Sequence, residues 1–378
     1  VGYYALNDLT SAIGVTSVGY QSGAALTTGG YSTFLGHNAG LVHTTGGYNM
    51  AIGFGAMNDT DAGSNSLGSN ENVFIGVDSG GGTWADTASS NNVAVGNYTM
   101  DAALDGALNN VAVGKNALGA LTTGDGNTAL GNHSMGTSTV GSDCVAIGAG
   151  AIDSATTSPN INGTVAVGSS ALTALTTGAK NTAIGYECMD ATDDGAWNTA
   201  VGYQALSANC GNNNVAVGVS SLLVCTGQAN TAIGTESSKA ITSGEYNTAV
   251  GNSSLAANID GDSNIAVGNS AAGALRSGTN NTVVGTSAFG AAGNDESGNV
   301  AIGTSAMQVL KTDGTSSATN REVSNNVAIG LNALYGGTLS GTNHVEGCVA
   351  IGKDAMDATG ANNQIGTVAI GQSALGAL

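Results

Sequence analysis

Proline is all but missing from this chain: Pro159 is the only one in 378 residues. Collagen needs abundant proline and a glycine at every third position, so the 61 glycines do not mark a triple helix. Charge is also scarce, at 9% of residues, and basic charge scarcest, with 7 Lys and Arg against 26 Asp and Glu. A net charge of −19 speaks against nucleic acid and anionic lipid as partners, because both need clustered cations. Most of the acid reads as turn chemistry that keeps a long molecule soluble. No apolar run reaches membrane-spanning length and no signal peptide or lipidation motif is present, so no direct membrane insertion is expected. Disorder is excluded from the other side, by an apolar fraction of 41% that recurs at fixed places.

Chemistry-bearing patterns are equally thin. The four histidines, His37, His43, His133 and His344, have no partner at metal spacing, and no C-x-x-C occurs among Cys144, Cys188, Cys210, Cys225 and Cys348. Asp260-Gly261-Asp262-Ser263-Asn264 opens like a calcium loop but has Ile265 where that loop needs glycine. No nucleophile elbow, no Ser/His/Asp order and no distinctive carboxylate pair is seen; Asp193-Asp194 and Asp295-Glu296 read as solvated acids in turns. The expectation is a non-enzyme without cofactor or metal.

What is present is one unit, repeated. Asn181-Thr182-Ala183-Ile184-Gly185 returns as Asn198-Thr199-Ala200-Val201-Gly202, 17 residues later. Anchoring on that final glycine gives 21 anchors from Gly2 to Gly371; of the 20 steps, ten are 17 residues, two are 16 and two are 18. A period this persistent marks a solenoid. Four columns run through it. The fourth residue before the anchor is mostly Asn and the second before it mostly Ala. The residue just before it is Val, Ile or Leu, and the fourth after it is mostly Leu, Met, Ile or Phe.

Each column has a physical reading. Asn92-Val93-Ala94-Val95-Gly96 alternates as a short strand, with Val93 and Val95 on one face and Ala94 on the other. The glycine permits a corner. The following x-x-Ala-Leu reads as a second short strand carrying one large apolar plug. Stacked asparagines either hydrogen-bond up and down the array or cap a turn within each coil. Glycine frequency and β-branching exclude helix. The prediction is an all-β chain, a β-solenoid of about 20 coils forming a single repeat array over residues 1–378. At a strand spacing of ~4.8 Å it would be a rod on the order of 95 Å long. It starts and stops inside a repeat, and so reads as a segment of a longer polypeptide. One such thin coil buries little, and its outward apolar columns need covering by identical chains packed side by side.

Six steps run from 19 to 27 residues. Loop insertions are accordingly predicted near 54–75, 77–95, 149–167, 304–329 and 331–351, where binding residues concentrate in solenoids. Trp84 in one of them either stacks on a sugar ring or packs within its own loop. Lys311 and Arg321 in the longest are two of the few cations and further receptor-contact candidates. Cys210 and Cys225 fall at nearly the same phase of consecutive coils, within reach of a disulfide.

Asn198-Thr199-Ala200-Val201-Gly202-Tyr203-Gln204-Ala205-Leu206 resembles the repeat of phage tail fibres and is similar to the head repeats of trimeric autotransporter adhesins. The likeness covers essentially the whole chain. It implies a left-handed parallel β-roll and a homotrimer. It also implies an extracellular place on a virion tail fibre or bacterial cell surface, and attachment to a host-surface receptor, a glycan or outer-membrane component, alongside other fibre or baseplate proteins. The 17-residue step is longer than the commoner adhesin coil, and no self-cleaving chaperone domain follows. A bacterial adhesin head and a polysaccharide-degrading tailspike are the rival expectations.

Overall fold

A computed structural model describes residues 2–60, 68–85, 87–154, 161–290, 296–308, 311–312, 323–336, 338–339, 344–357 and 363–376. The chain forms two compact units, Val1–Trp197 and Asn198–Leu378. The first holds ten three-residue strands, from β1 (Thr16–Val18), β2 (Thr33–Leu35), β3 (Met50–Ile52) and β4 (Val73–Ile75) to β9 (Val165–Val167) and β10 (Thr182–Ile184). Each pairs in parallel with the next along the chain, alanine opposite alanine, as in Ala94↔Ala112 and Ala146↔Ala166. The second unit repeats the arrangement from β11 (Thr199–Val201) to β17 (Val300–Ile302), continuing through β20 (Val327–Ile329), β23 (Val349–Ile351) and β25 (Val368–Ile370). The architecture is a parallel β-solenoid with the expected repeat, and the described residues contain no α-helix.

The x-x-Ala-Leu segment corrects the expectation of a second strand. It is a turn in which alternate residues take left-handed backbone: Asn116 has φ 57° and Leu118 φ 49°, and Ser170 and Leu172 repeat this at 56° and 51°. Left-handed conformation costs an L-residue about 1–2 kcal/mol. Hydrogen bonding between coils offsets it, because the segment still pairs alternately backward and forward. The Asn116 N–H donates to Asn97 of the preceding coil and the Leu118 N–H to Ser134 of the following one. The N–H between them, that of Ala117, closes the turn on the Gly114 carbonyl of its own coil.

The strand alternation falls as predicted. The central residue points inward, and Ala94, Ala112, Ala129, Ala146 and their successors are fully buried. Opposite them lie a second small column, Ala117, Ala151 and Ala171, and the plugs Leu118, Ile152 and Leu172. Two coils carry Phe in place of the central Ala, Phe34 and Phe74, and in both the plug six residues on is glycine. A Cβ on Gly40 would lie 2.3 Å from the Phe34 ring, and one on Gly80 2.6 Å from the Phe74 ring. In these two coils the large side chain comes from the strand instead of from the turn. Phe74→Ala should therefore lose about 3–5 kcal/mol. Phe74→Ala with Gly80→Leu, which restores the usual pattern, should recover most of it, since Leu at this place tolerates left-handed φ elsewhere. A denaturant titration of the two variants checks this; an unrescued double variant would contradict the shared-volume account.

The asparagines form a ladder and close the turn at once. Asn110 donates through Nδ2 to Asn92 Oδ1 at 3.0 Å and to the Gly124 carbonyl of the following coil at 2.9 Å. Its Oδ1 accepts from the Asn127 N–H at 2.9 Å and from Asn127 Nδ2 at 3.0 Å. The same pattern runs from Asn247 through Asn264, Asn281 and Asn299 to Asn326 in the second unit. The ladder reading is realised, and a cap within the same coil accompanies it at Asn181 and Asn214, whose Nδ2 also donates to the Gly178 and Gly211 carbonyls at 3.2 Å.

Parts of the predicted insertions lie outside the described residues. The described parts of the last ones stack on each other. β18 (Lys311–Thr312) pairs with β21 (Thr338–Leu339), and β19 (Val323–Ser324) with β22 (Val345–Glu346), which pairs with β24 (Gln364–Ile365). Val323 and Val345 are buried, so here an insertion widens the core.

Candidate functional site

Trp84 is not a surface residue. It is fully buried, meets the Phe74 ring edge-on at 5.8 Å and donates its indole N–H to the Gly80 carbonyl at 3.2 Å. Trp84 stands where later coils carry the buried Leu104, Leu121 and Leu175, so it packs within its own coil and is not a receptor contact. Lys311 lies on β18, whose side chains are outside the described set, and Arg321 lies outside the described residues altogether.

The disulfide expectation is corrected too. All five cysteines are buried and none is disulfide-bonded. Desolvation pushes the Cys225 thiol up to about 12, helped by the nearby Cys210, and its Sγ lies 3.7 Å from the Gly227 carbonyl and 3.6 Å from Asn230 Nδ2. Cys225 thus fills a plug-side position as a small protonated hydrophobe. Cys144 stands in the asparagine column. Its backbone N–H still takes Asn127 Oδ1 at 3.0 Å, and its thiol donates to the Ser142 and Ile161 carbonyls. Among the described residues no group of three or more His, Cys, Asp or Glu is placed to hold a metal ion.

Two surfaces stand out instead. The first is the outer face of each main sheet, where the residues flanking every inward alanine are Val, Ile, Leu, Met or Thr. Leu130 is 46% exposed and Ile184 41%, and in the second unit Ile265 is 44%. This apolar stripe was foreseen from the alternation. The second surface was not foreseen. Just after the anchor glycines of the first four coils stand Tyr3, Tyr20, His37 and Phe54, stacked at centroid distances of 5.8, 5.0 and 5.2 Å. Across the strand, Tyr31 and Tyr48 stack at 5.1 Å. The signal was in the numbering: aromatic residues at one phase of consecutive coils must meet.

Acidic side chains line another side of the coil. The Asp101 carboxyl is pushed up to about 6, first by burial and then by the charge of Asp78, against a lowering hydrogen bond from the Gly81 N–H. The folded chain therefore holds this proton more tightly than the unfolded chain, whose ordinary value is 3.8. Stability is given up as pH rises from about 4 to about 6, and the loss is complete above that. Asp101→Asn should raise the melting temperature at pH 7.5 and leave it nearly unchanged at pH 3.5. The gain is on the order of 1 kcal/mol, since the group is half-exposed and screened. Equal shifts at both pH values would rule out this origin.

No protein-family model matches the chain, and no curated protein matches it significantly. The likeness to fibre and adhesin repeats thus rests on the quoted motif and on the solenoid itself.

Proposed function

We propose that the chain is a segment of an adhesive fibre, of the phage tail-fibre kind, built from three parallel copies that bury their outer sheet faces against one another. The observation that carries this is the apolar stripe. A solvent-facing column of Val, Ile and Leu in coil after coil is far more exposed apolar surface than a lone soluble chain keeps, and a self-complementary covering by identical chains removes it. Its work is mechanical. Asparagine ladders and an apolar seam make a stiff extracellular spacer, with the left-handed roll of the repeats it resembles. That spacer holds a receptor-binding surface away from its carrier, catalyses nothing, and joins other fibre or baseplate proteins at its ends.

Sedimentation equilibrium at micromolar concentration should give three times the 36.5 kDa chain mass. Leu130→Lys with Ile184→Lys should reduce this to one chain with unchanged circular dichroism. Both side chains are already half-exposed in the single chain, whereas charges in the seam would be buried without partners. A wild-type protein that sediments as a single chain would end the proposal.

A further inference from the structure

In each unit the second, fifth and sixth residues after consecutive anchor glycines form a shallow groove on the turn side of the coil. In the second unit it has a volume of about 250 Å³ and is lined by small side chains such as Ser253, Ala256, Ser270 and Gly273. In the first three coils the same positions enclose about 380 Å³ and carry a different set: Tyr4, Asn7, Asp8 and Gln21 at the rim, with Leu41 and Val42 as an apolar wall. The backbone frame is common to both, so the difference lies in the side chains.

We propose that this first-unit groove is a binding site for a neutral, linear saccharide lying along the solenoid axis, which deepens the adhesive reading above and rests on it. Sugar rings present two chemistries, a patch of C–H groups and pairs of neighbouring hydroxyls. A tyrosine ring matches the first and planar amide or carboxylate groups the second. Tyr4 is 50% exposed and is fixed in place by edge-on contact with Tyr3 at 4.2 Å. Asn7 Nδ2 donates to Asp8 Oδ1 at 2.7 Å. That bond orients both groups and leaves Asn7 Oδ1 and Asp8 Oδ2 as neighbouring acceptors for a vicinal diol. Gln21, one coil on, supplies an amide with both donors and an acceptor. Ala24 and Ala25 make the floor low enough for a ring to settle.

Two further observations set the ligand class. The coil rise of ~4.8 Å is about the length of one pyranose in an extended chain, so a chain lying along the axis sets about one sugar against each coil. The rim carries Asp8 and the chain a net charge of −19, so uronic or sialic acids would be repelled. Exposed rings are also densest in these coils, where Tyr20, Tyr31, Tyr48 and Phe54 flank the groove's coils, while later coils carry them singly or in pairs, as at Tyr98, Tyr186 and Tyr203.

The test is isothermal titration of the full chain with cellohexaose, maltohexaose, mannohexaose and chitohexaose, with hexagalacturonate as the anionic arm. At least one neutral hexamer should bind with a millimolar to micromolar dissociation constant, and hexagalacturonate should not. Tyr4→Ala and Gln21→Ala should each weaken that binding tenfold or more, while Ser270→Ala, in the second groove, should leave it unchanged. Gln21→Ala decides the matter if Tyr4→Ala does not fold. No binding by any neutral hexamer, tighter binding of hexagalacturonate, or binding indifferent to both substitutions would overturn the site. Sedimentation of the same samples separates the two proposals. A trimer that binds no sugar removes only the groove, and a single chain that binds sugar removes only the fibre assembly.

Discussion

Gly36→Ala should abolish folding of the first unit or lower its stability by more than about 4 kcal/mol, a loss confined to few mechanisms in proteins. Two of those mechanisms act together here. Gly36 has φ +145°, a backbone region that L side chains rarely adopt, and an added Cβ would sit 2.2 Å from the Gly53 carbonyl oxygen of the next coil. That oxygen is main chain and cannot swing aside. The Cβ of any residue at an anchor meets the next anchor's carbonyl in this way, as at Gly96 and Gly131, each with 2.6 Å to the next glycine oxygen. The glycine column is therefore what lets coils approach to strand spacing. Gly150→Ala provides the contrast. Its φ is +65°, no atom lies within 4 Å of the added carbon, and Asn116 and Ser170 hold the equivalent place in other coils. It should change stability by no more than about 1 kcal/mol. Expression, circular dichroism and thermal melts of the two variants make the comparison; a folded Gly36→Ala protein with near-normal melting would refute the close-approach role.

That contrast also shows how much of the molecule the sequence discloses. A period puts chemically identical residues at identical places, so the strands, the inward alanines, the asparagine column and the outward apolar stripe could all be read by phase. Conformation that does not depend on residue type could not. Leu118 and Asn116 adopt left-handed backbone although neither is glycine, because hydrogen bonds from neighbouring coils hold them there, and x-x-Ala-Leu consequently looked like a strand. Trp84 failed for a related reason. Its insertion placed it on a loop, although it stands eight residues after its anchor, as the buried Leu104 does in the next coil. Cys210 and Cys225 share a phase, yet proximity leaves open whether two thiols or a bond fills the space. The aromatic stack and the Tyr4 groove were available in principle, from Tyr3, Tyr20, His37 and Phe54 standing at one phase, but single columns read one at a time do not display a surface shared by two of them.

Removing one rung of the asparagine ladder should rank next in cost. Asn110→Ala deletes two donated and two accepted side-chain bonds at a fully buried position. The Asn127 N–H and the Gly124 carbonyl are then left dry and without their partners, each worth about 1–3 kcal/mol, so about 3–5 kcal/mol in total is expected with the cavity included. Cysteine already stands in this column at Cys144, where its thiol donates to carbonyls as Asn Nδ2 does, so Asn110→Cys should lose visibly less than Asn110→Ala. Aspartate tests the direction of the bonds. Its carboxylate can still accept from Asn127, but in place of Nδ2 it turns a second oxygen toward Asn92 Oδ1 and the Gly124 carbonyl, three acceptors with no proton between them. Protonation supplies that proton. The folded-state pKa of Asn110→Asp would be raised by burial and by those oxygens, so its stability should recover as pH falls through that raised value, while Asn110→Ala stays equally unstable throughout. Urea titrations of the three variants at pH 4.5 and pH 7.5 provide the readout. An Asp variant whose deficit ignores pH would show that the column acts by shape alone, not by its chain of donated hydrogens.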